Sequence, residues 1–308
     1  MMESDFASLL DFAQQIAREQ QASVPAVVKE LLHYEILQAL MESGTAAHLV
    51  FQGGTALRLC HGGLRYSEDL DFAGGLEFDP SAMKPFVERV KESISNRYGV
   101  HMEVSERLPN PSDSVPVGRW KAKVRLPQSD RSGKQGYLIH IEVAEIPAYT
   151  SQVLQVRTLS DNMPYAYRAI LLKSESREEI FADKLIALGA RPYIKQRDLW
   201  DIHMLAQTGV ALNIEWVQWK IRDYSLKQSD FVQTLQSRGS QLRDLASVRA
   251  FQQEMLRFLE GPHRAIIEEE SVVRQMLSVV SDVAEEAVGH LTPDQSPLPE
   301  KLQRRFPR

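Results

Sequence analysis

Apolar residues recur at every third or fourth position through the first 46 residues. Phe6, Leu9, Leu10, Phe12 and Ala13 form one stripe. Val27, Val28, Leu31, Ile36 and Leu40 form another, so the spacing predicts two helices, the second closed by Ser43-Gly44. The rhythm then changes. Ala47–Gln52 is a short apolar run stopped by Gly53-Gly54, which predicts a buried strand, and Thr55–Cys60 reads as the helix after it. Leu70 and Phe72 alternate with Asp69 and Asp71 at a period of two, predicting another strand. Further strands are expected near Val100–Ser105, Arg119–Leu126 and Tyr137–Glu145. Helical spacing returns over Ser174–Gly189 and Asp198–Gln207 and persists to about Val288.

Helices, then a strand-rich core, then helices predict an α+β fold in which a catalytic core carries a helical partner domain. The expected partition is a helical lead over 1–46, a core over 47–205, a C-terminal helical domain over 206–290 and a loose basic tail over 291–308. No internal repeat is visible.

Composition narrows the class. The chain has 308 residues, 43% hydrophobic and 25% charged, with a formal net charge of −5, which argues against a nucleic-acid coat protein but leaves room for a local basic patch. The single cysteine, Cys60, excludes an intrachain disulfide framework and a cysteine-rich zinc site, and fits a reducing compartment. No apolar run approaches the length of a membrane span, and no basic-then-apolar leader opens the sequence, so the expected location is the cytoplasm.

Three features could carry chemistry. Gly53-Gly54-Thr55 between a strand and a helix would let the backbone approach an anion; the alternative is a tight turn with Thr55 as helix N-cap. Asp69 and Asp71, two apart on a strand, project side by side. Such carboxylates repel each other unless a cation intervenes, and Mg²⁺ suits one or two carboxylates plus phosphate oxygens. Glu142 projects from the Tyr137–Glu145 strand on the same face as His140 and is the candidate third acid, with Glu145 a weaker competitor on the opposite face. In Arg119–Leu126 all four basic residues, Arg119, Lys121, Lys123 and Arg125, share one face while Trp120, Ala122, Val124 and Leu126 share the other. That face is a solvated strand surface or a landing surface for triphosphate or RNA backbone.

Two helices place charge inside apolar arcs. Lys184 falls among Ile180, Phe181, Leu185 and Leu188, where an amine needs a partner, while Asp183 points away. Asp198 falls within the arc of Leu199, Ile202, Leu205 and Ala206, with Asp201 at its margin. Asp198 could be an N-cap, or Lys184 and Asp198 could form a buried ion pair.

Phe51–Leu57 with Arg65–Phe72, then Ala182–Leu188 and Arg197–Ile202, resemble in order and spacing the motifs of AbiEii/AbiGii-type nucleotidyltransferase toxins, within the wider DNA polymerase β-like superfamily. The resemblance covers about residues 45 to 205. It implies a polymerase β-like core with a mixed sheet, and Mg²⁺-dependent (or Mn²⁺-dependent) transfer of a nucleoside monophosphate from a nucleoside triphosphate, most readily to the 3′ end of tRNA. It also implies a cognate antitoxin as partner. On that pattern Asp69, Asp71 and Glu142 would hold the metal. Gly53, Gly54, Thr55, Arg65 and Ser67 would contact the nucleotide. Lys184 would neutralise the triphosphate, and Asp198 would orient a metal, a water or Lys184. Transfer to a protein or small molecule, and a non-catalytic nucleotide-binding module, are the competing readings.

Overall fold

The computed structural model describes residues 2–108, 117–125, 137–160 and 163–292. Strand β1 (Val50–Gln52) is three residues long, yet everything else is organised around it. It pairs antiparallel with β2 (Leu70–Ala73) and parallel with β7 (Leu171–Ser174). Beyond β2 lie β5 (Leu138–Ala144), β4 (Arg119–Arg125) and β3 (His101–Arg107), and beyond β7 lies β6 (Gln152–Gln155). The seven-stranded order is β3-β4-β5-β2-β1-β7-β6, with β2–β5 parallel and the β3–β4, β4–β5 and β6–β7 pairs antiparallel. The fold is therefore α+β on a mixed sheet, as expected. β6 and β7 add to the strands that the spacing predicts: Ser174 ends a strand instead of opening a helix, and helix α7 begins at Arg177 (Arg177–Ala190). Leu126 and the basic tail (Lys301, Arg304, Arg305, Arg308) lie outside the described residues.

Helices α1 (Met2–Gln20) and α2 (Val24–Glu42) stand where the apolar spacing puts them. Pro25 sits in the first turn of α2, where its missing N–H costs nothing. α2 buries residues on all its sides, from Val27 and Leu32 to Tyr34 and Leu37. Even Glu30 is interior, hydrogen-bonded by Tyr34 and paired with Arg58 at 3.1 Å. One hydrophobic cluster runs from Phe6 through the sheet to Leu291.

The remaining helices are α3 (Gly53–His61), α4 (Lys84–Val90), α5 (Asn96–Tyr98), α6 (Tyr165–Arg168), α8 (Gln196–Gln207), α9 (Ile214–Asp223), α10 (Gln228–Gln241), α11 (Leu245–Met255), α12 (Gly261–Glu268) and α13 (Glu270–Leu291). α7 packs against α8, α9 and α10, and so joins the sheet to the C-terminal helices. Among the described residues no helix is long and apolar enough to cross a membrane.

Candidate active site

The period-two alternation of β2 sends Leu70 and Phe72 into the core, at 0% and 2% exposure, and leaves Asp69 and Asp71 on the opposite face. The two acids then diverge. Burial works against ionisation of Asp69, but a hydrogen bond and charge from His140, with Arg197 and Lys195, outweigh it and bring the carboxyl down to about 2. The His140 ring nitrogen lies 3.1 Å from Asp69 Oδ1. Asp71 has no hydrogen-bond or ion-pair partner among the described residues. Its burial, with Asp69 and Glu142 nearby, pushes the carboxyl up to about 6.

Glu142 stands beside this pair because β5 runs parallel to β2 with Glu142 in register with Asp71. The face assigned from alternation is therefore the face observed. Glu142 is already engaged: Arg119 Nη1 lies 3.0 Å from one of its oxygens and Lys121 Nζ 2.6 Å from the other. The basic face of β4 is thereby divided. Trp120, Ala122 and Val124 are buried as the alternation requires. Arg119 and Lys121 face Glu142, whereas Lys123 and Arg125 lie farther along the strand, exposed and opposite Glu103 and His101 of β3.

The glycine turn joins β1 directly to α3. Gly53 has φ +79°, a left-handed conformation that disfavours any Cβ, and a Cβ there would stand 3.0 Å from Asp71 Oδ2. A methyl group on Gly54 would overlap the Arg65 guanidinium. Both glycines are thus required by side chains packed over the turn. Thr55 is not the N-cap, because the helix starts two residues earlier with Gln52 in that position. The Thr55 hydroxyl is buried and donates to the Asp69 carbonyl, tying α3 to the segment that carries the acids.

The charges inside the helical arcs meet behind this turn. Lys184 Nζ lies 2.8 Å from Asp198 and 2.9 Å from Asp201. Arg65 grips Asp201 with two hydrogen bonds of 2.7 and 2.5 Å. Arg191 completes the chain on Asp198. Asp198 is in the first turn of α8, not at its cap, which is Lys195. Burial opposes its charge, but Lys184 and Arg191 hold the carboxyl down at about 2. Burial would likewise discharge Lys184, yet its two aspartates raise its proton affinity. The Lys184–Asp198 ion pair is present, and Asp201, at the margin of its arc, links Lys184 to Arg65. A second buried cluster lies beside α9: Lys220 sits 3.0 Å from Glu179 and 2.7 Å from Asp183. Its signal was legible, since Glu175, Glu179 and Asp183 recur at intervals of four and Lys220 lies in the apolar arc of Val217 and Ile221.

These elements enclose a cleft of about 610 Å³. Gly53, Asp69, Asp71, Arg119, Lys121, Glu142 and Lys184 all line it. Gly54, Thr55, Arg65, Ser67 and Asp198 do not; they are buried behind it, and Arg65 in particular spends its guanidinium on Asp201. Lys123 and Arg125 are also outside. His140, Arg107, Asp183, Arg191, Tyr193 and Lys195 line the cleft although they were not among the candidate site residues. Most come from turns or from strand positions whose neighbours across the sheet a linear sequence does not display.

A cavity holding paired carboxylates and several cations suits a polyanion neutralised by a hard metal ion. Among the described residues no three His, Cys, Asp or Glu side chains form a ready-made metal cage. The donor set that fits is smaller: two same-face carboxylates, one of them unpartnered, as Mg²⁺ requires when substrate oxygens complete its shell. Glu142 would join that set while shared with Arg119 and Lys121.

Residues 35–272 match a family model described as "Nucleotidyl transferase AbiEii toxin, Type IV TA system". Among solved structures, JHP933 from Helicobacter pylori is similar at 21% identity and a TM-score of 0.47, over 87% of this chain and 95% of that one. A candidate nucleotidyltransferase from H. pylori is similar at 19% identity and a TM-score of 0.42, over 85% and 97%. No curated protein matches the chain.

Proposed function

The chain belongs to the AbiEii nucleotidyl transferase toxin family of type IV toxin–antitoxin systems, and on that footing we propose that it transfers a nucleoside monophosphate from a nucleoside triphosphate to the 3′ end of a tRNA. Family membership implies a cognate antitoxin as partner. The observation that carries the chemical reading is the pairing of Asp69 and Asp71 beside Gly53 on a cleft of nucleotide size.

In the proposed reaction an acceptor hydroxyl attacks the α-phosphorus. A new P–O bond forms, the bond to the β-phosphate oxygen breaks, pyrophosphate leaves and the hydroxyl proton is released. Asp69 and Asp71 would hold Mg²⁺ or Mn²⁺, whose charge stabilises the attacking and leaving oxygens. Asp69 enters already ionised, because His140 and the neighbouring cations keep its carboxyl low. Arg119 and Lys121, oriented by Glu142, form a cationic wall facing the acids. Fixed cations aimed at a leaving pyrophosphate act without reorganisation, which is how such sites lower barriers. Lys184 contributes chiefly by fixing α7 against α8, since two aspartates share its charge. An RNA acceptor is favoured over a protein by Lys123 and Arg125, which continue the basic face of β4 out of the cleft.

The test is incubation of the full chain with each radiolabelled nucleoside triphosphate, Mg²⁺ and total tRNA. Label on the RNA 3′ end is the expected result, with a preference for one of the four bases. Label on protein alone would replace the acceptor, and no transfer to any acceptor would overturn the reading.

A further inference from the structure

The cleft has two unlike walls. Strands β2, β4 and β5 supply its charges. The end of α7 and the turn after it supply Ile186, Ala187, Ala190, Pro192 and Tyr193. Tyr193 is a large aromatic side chain left 61% exposed on that wall. A ring in this position offers a flat apolar face to the cleft, and every nucleobase can stack on such a face.

Lys195, two residues on, is the second anomaly. Its backbone carbonyl accepts a hydrogen bond from the Asp198 N–H, but among the described lysines and arginines lining the cleft its amine is the one with no side-chain hydrogen bond or ion pair: Arg119 and Lys121 hold Glu142, Lys184 and Arg191 hold Asp198, and Arg107 has a contact of its own. Lys195 is half-buried, and burial with repulsion from Arg191 and Arg197 outweighs the attraction of Asp198 and Asp69, so that its proton affinity is lowered. It is close enough to Asp69 to help hold that carboxylate ionised. An unpaired amine crowded by like charge, next to the acids, calls for an anion that arrives from outside.

The turn itself is braced. Arg191 reaches Asp198 with its guanidinium, its carbonyl accepts a 2.5 Å hydrogen bond from Arg238, and Pro192 fixes the next φ. Tyr193 and Lys195 therefore project from a support that needs little reorganisation on binding.

We propose that the Arg191–Lys195 turn is the nucleotide-recognition element of this chain, with Tyr193 stacking on the base and Lys195 binding the triphosphate oxygens. The assignment rests on the nucleotidyl-transfer reading and extends it by separating a base subsite at Tyr193, in the turn after α7, from a phosphate subsite at Lys195 beside Asp69.

Calorimetric titration of the full chain with ATP, GTP, CTP, UTP and inorganic tripolyphosphate, each with Mg²⁺, separates the two roles. Lys195→Ala is expected to weaken all five by about tenfold or more, as loss of a charge-assisted contact does, while Lys195→Arg stays within about threefold of wild type. Tyr193→Ala should weaken the preferred nucleotides by about tenfold and leave tripolyphosphate unchanged, with Tyr193→Phe retaining wild-type affinity. Wild-type tripolyphosphate affinity in Lys195→Ala would overturn the inference. So would equal losses of nucleotide and tripolyphosphate in Tyr193→Ala. A wild type that labels RNA while both alanine variants bind normally overturns this inference alone. A wild type that shows the expected binding pattern but labels no acceptor overturns the transferase reading and leaves the inference standing. Absence of binding by any probe overturns both.

Discussion

Replacing Asp71 by asparagine is expected to abolish nucleotide transfer and, in the same variant, to raise the melting temperature. The two effects have one cause. Asp71 is a carboxylate enclosed beside Asp69 and Glu142 with no partner of its own among the described residues, and its carboxyl is pushed up to about 6. At neutral pH the folded protein must hold it ionised against that resistance. A tenfold change in proton affinity is worth about 1.4 kcal/mol, so the folded state gives up on the order of 1–3 kcal/mol there. Asparagine removes the charge at nearly constant shape, and Tm should rise by a few degrees, about 2–4 °C for each kcal/mol. Activity should fall by at least the ~10²–10³-fold typical of losing one preorganised electrostatic contact.

The pH dependence follows with a definite sign. A carboxyl whose folded pKa is raised favours the folded state below its ordinary value, near 3.8, and loses that contribution as pH rises through about 6. Wild type should therefore lose stability between about pH 4 and 6 relative to Asp71→Asn. Asp69, brought down to about 2, works oppositely, but only as pH falls below its ordinary value, so the two windows do not overlap. Thermal melts of both proteins across pH 4–7.5 check this. Parallel curves would show that Asp71 is not strained.

Asp201→Ala is expected to be the most destabilising single change in the core of the site. It would strip Arg65 of its bidentate partner and Lys184 of one of two, leaving two buried cations underpaired. Breaking a buried pair from one side costs about 3–5 kcal/mol, which at this size lowers Tm by roughly ten degrees. The double variant Arg65→Leu, Asp201→Leu should recover part of that loss, because no unpaired charge then remains. Denaturant melts of Arg65→Leu, Asp201→Leu and the double variant, which share the same substitutions, give the coupling directly. Additive losses would mean that the pair is not a unit.

The sequence made some of this plain for physical reasons that are local. Period-two alternation is enough to put Asp69 with Asp71 and to aim Glu142 at the same side of the sheet, because a strand's faces do not depend on its neighbours. Helical spacing likewise placed Lys184 and Asp198 in apolar arcs and so announced a buried charge needing a partner. What the chain could not announce was the partner across the fold. Arg65 and Asp201 are separated by 136 positions, so the order of residues does not display that the motif arginine beside the glycine turn is buried with its guanidinium on that aspartate. β6 and β7 are four residues each, and the exposed alternation of Leu171–Ser174 beside a helix start is too short to declare itself. The Arg191–Lys195 turn has no periodicity at all, so nothing in the spacing singles out its lysine and tyrosine.

Asp69 and Asp71 are proposed to hold a divalent cation against a triphosphate at the glycine turn. Electron paramagnetic resonance of Mn²⁺ titrated into the protein with a nucleoside triphosphate present tests it without relying on turnover. Wild type should bind the ion in a protein–nucleotide complex, Asp69→Asn and Asp71→Asn should each lose most of that binding, and Glu142→Gln should keep it. Undiminished Mn²⁺ binding in both aspartate variants would contradict the claim.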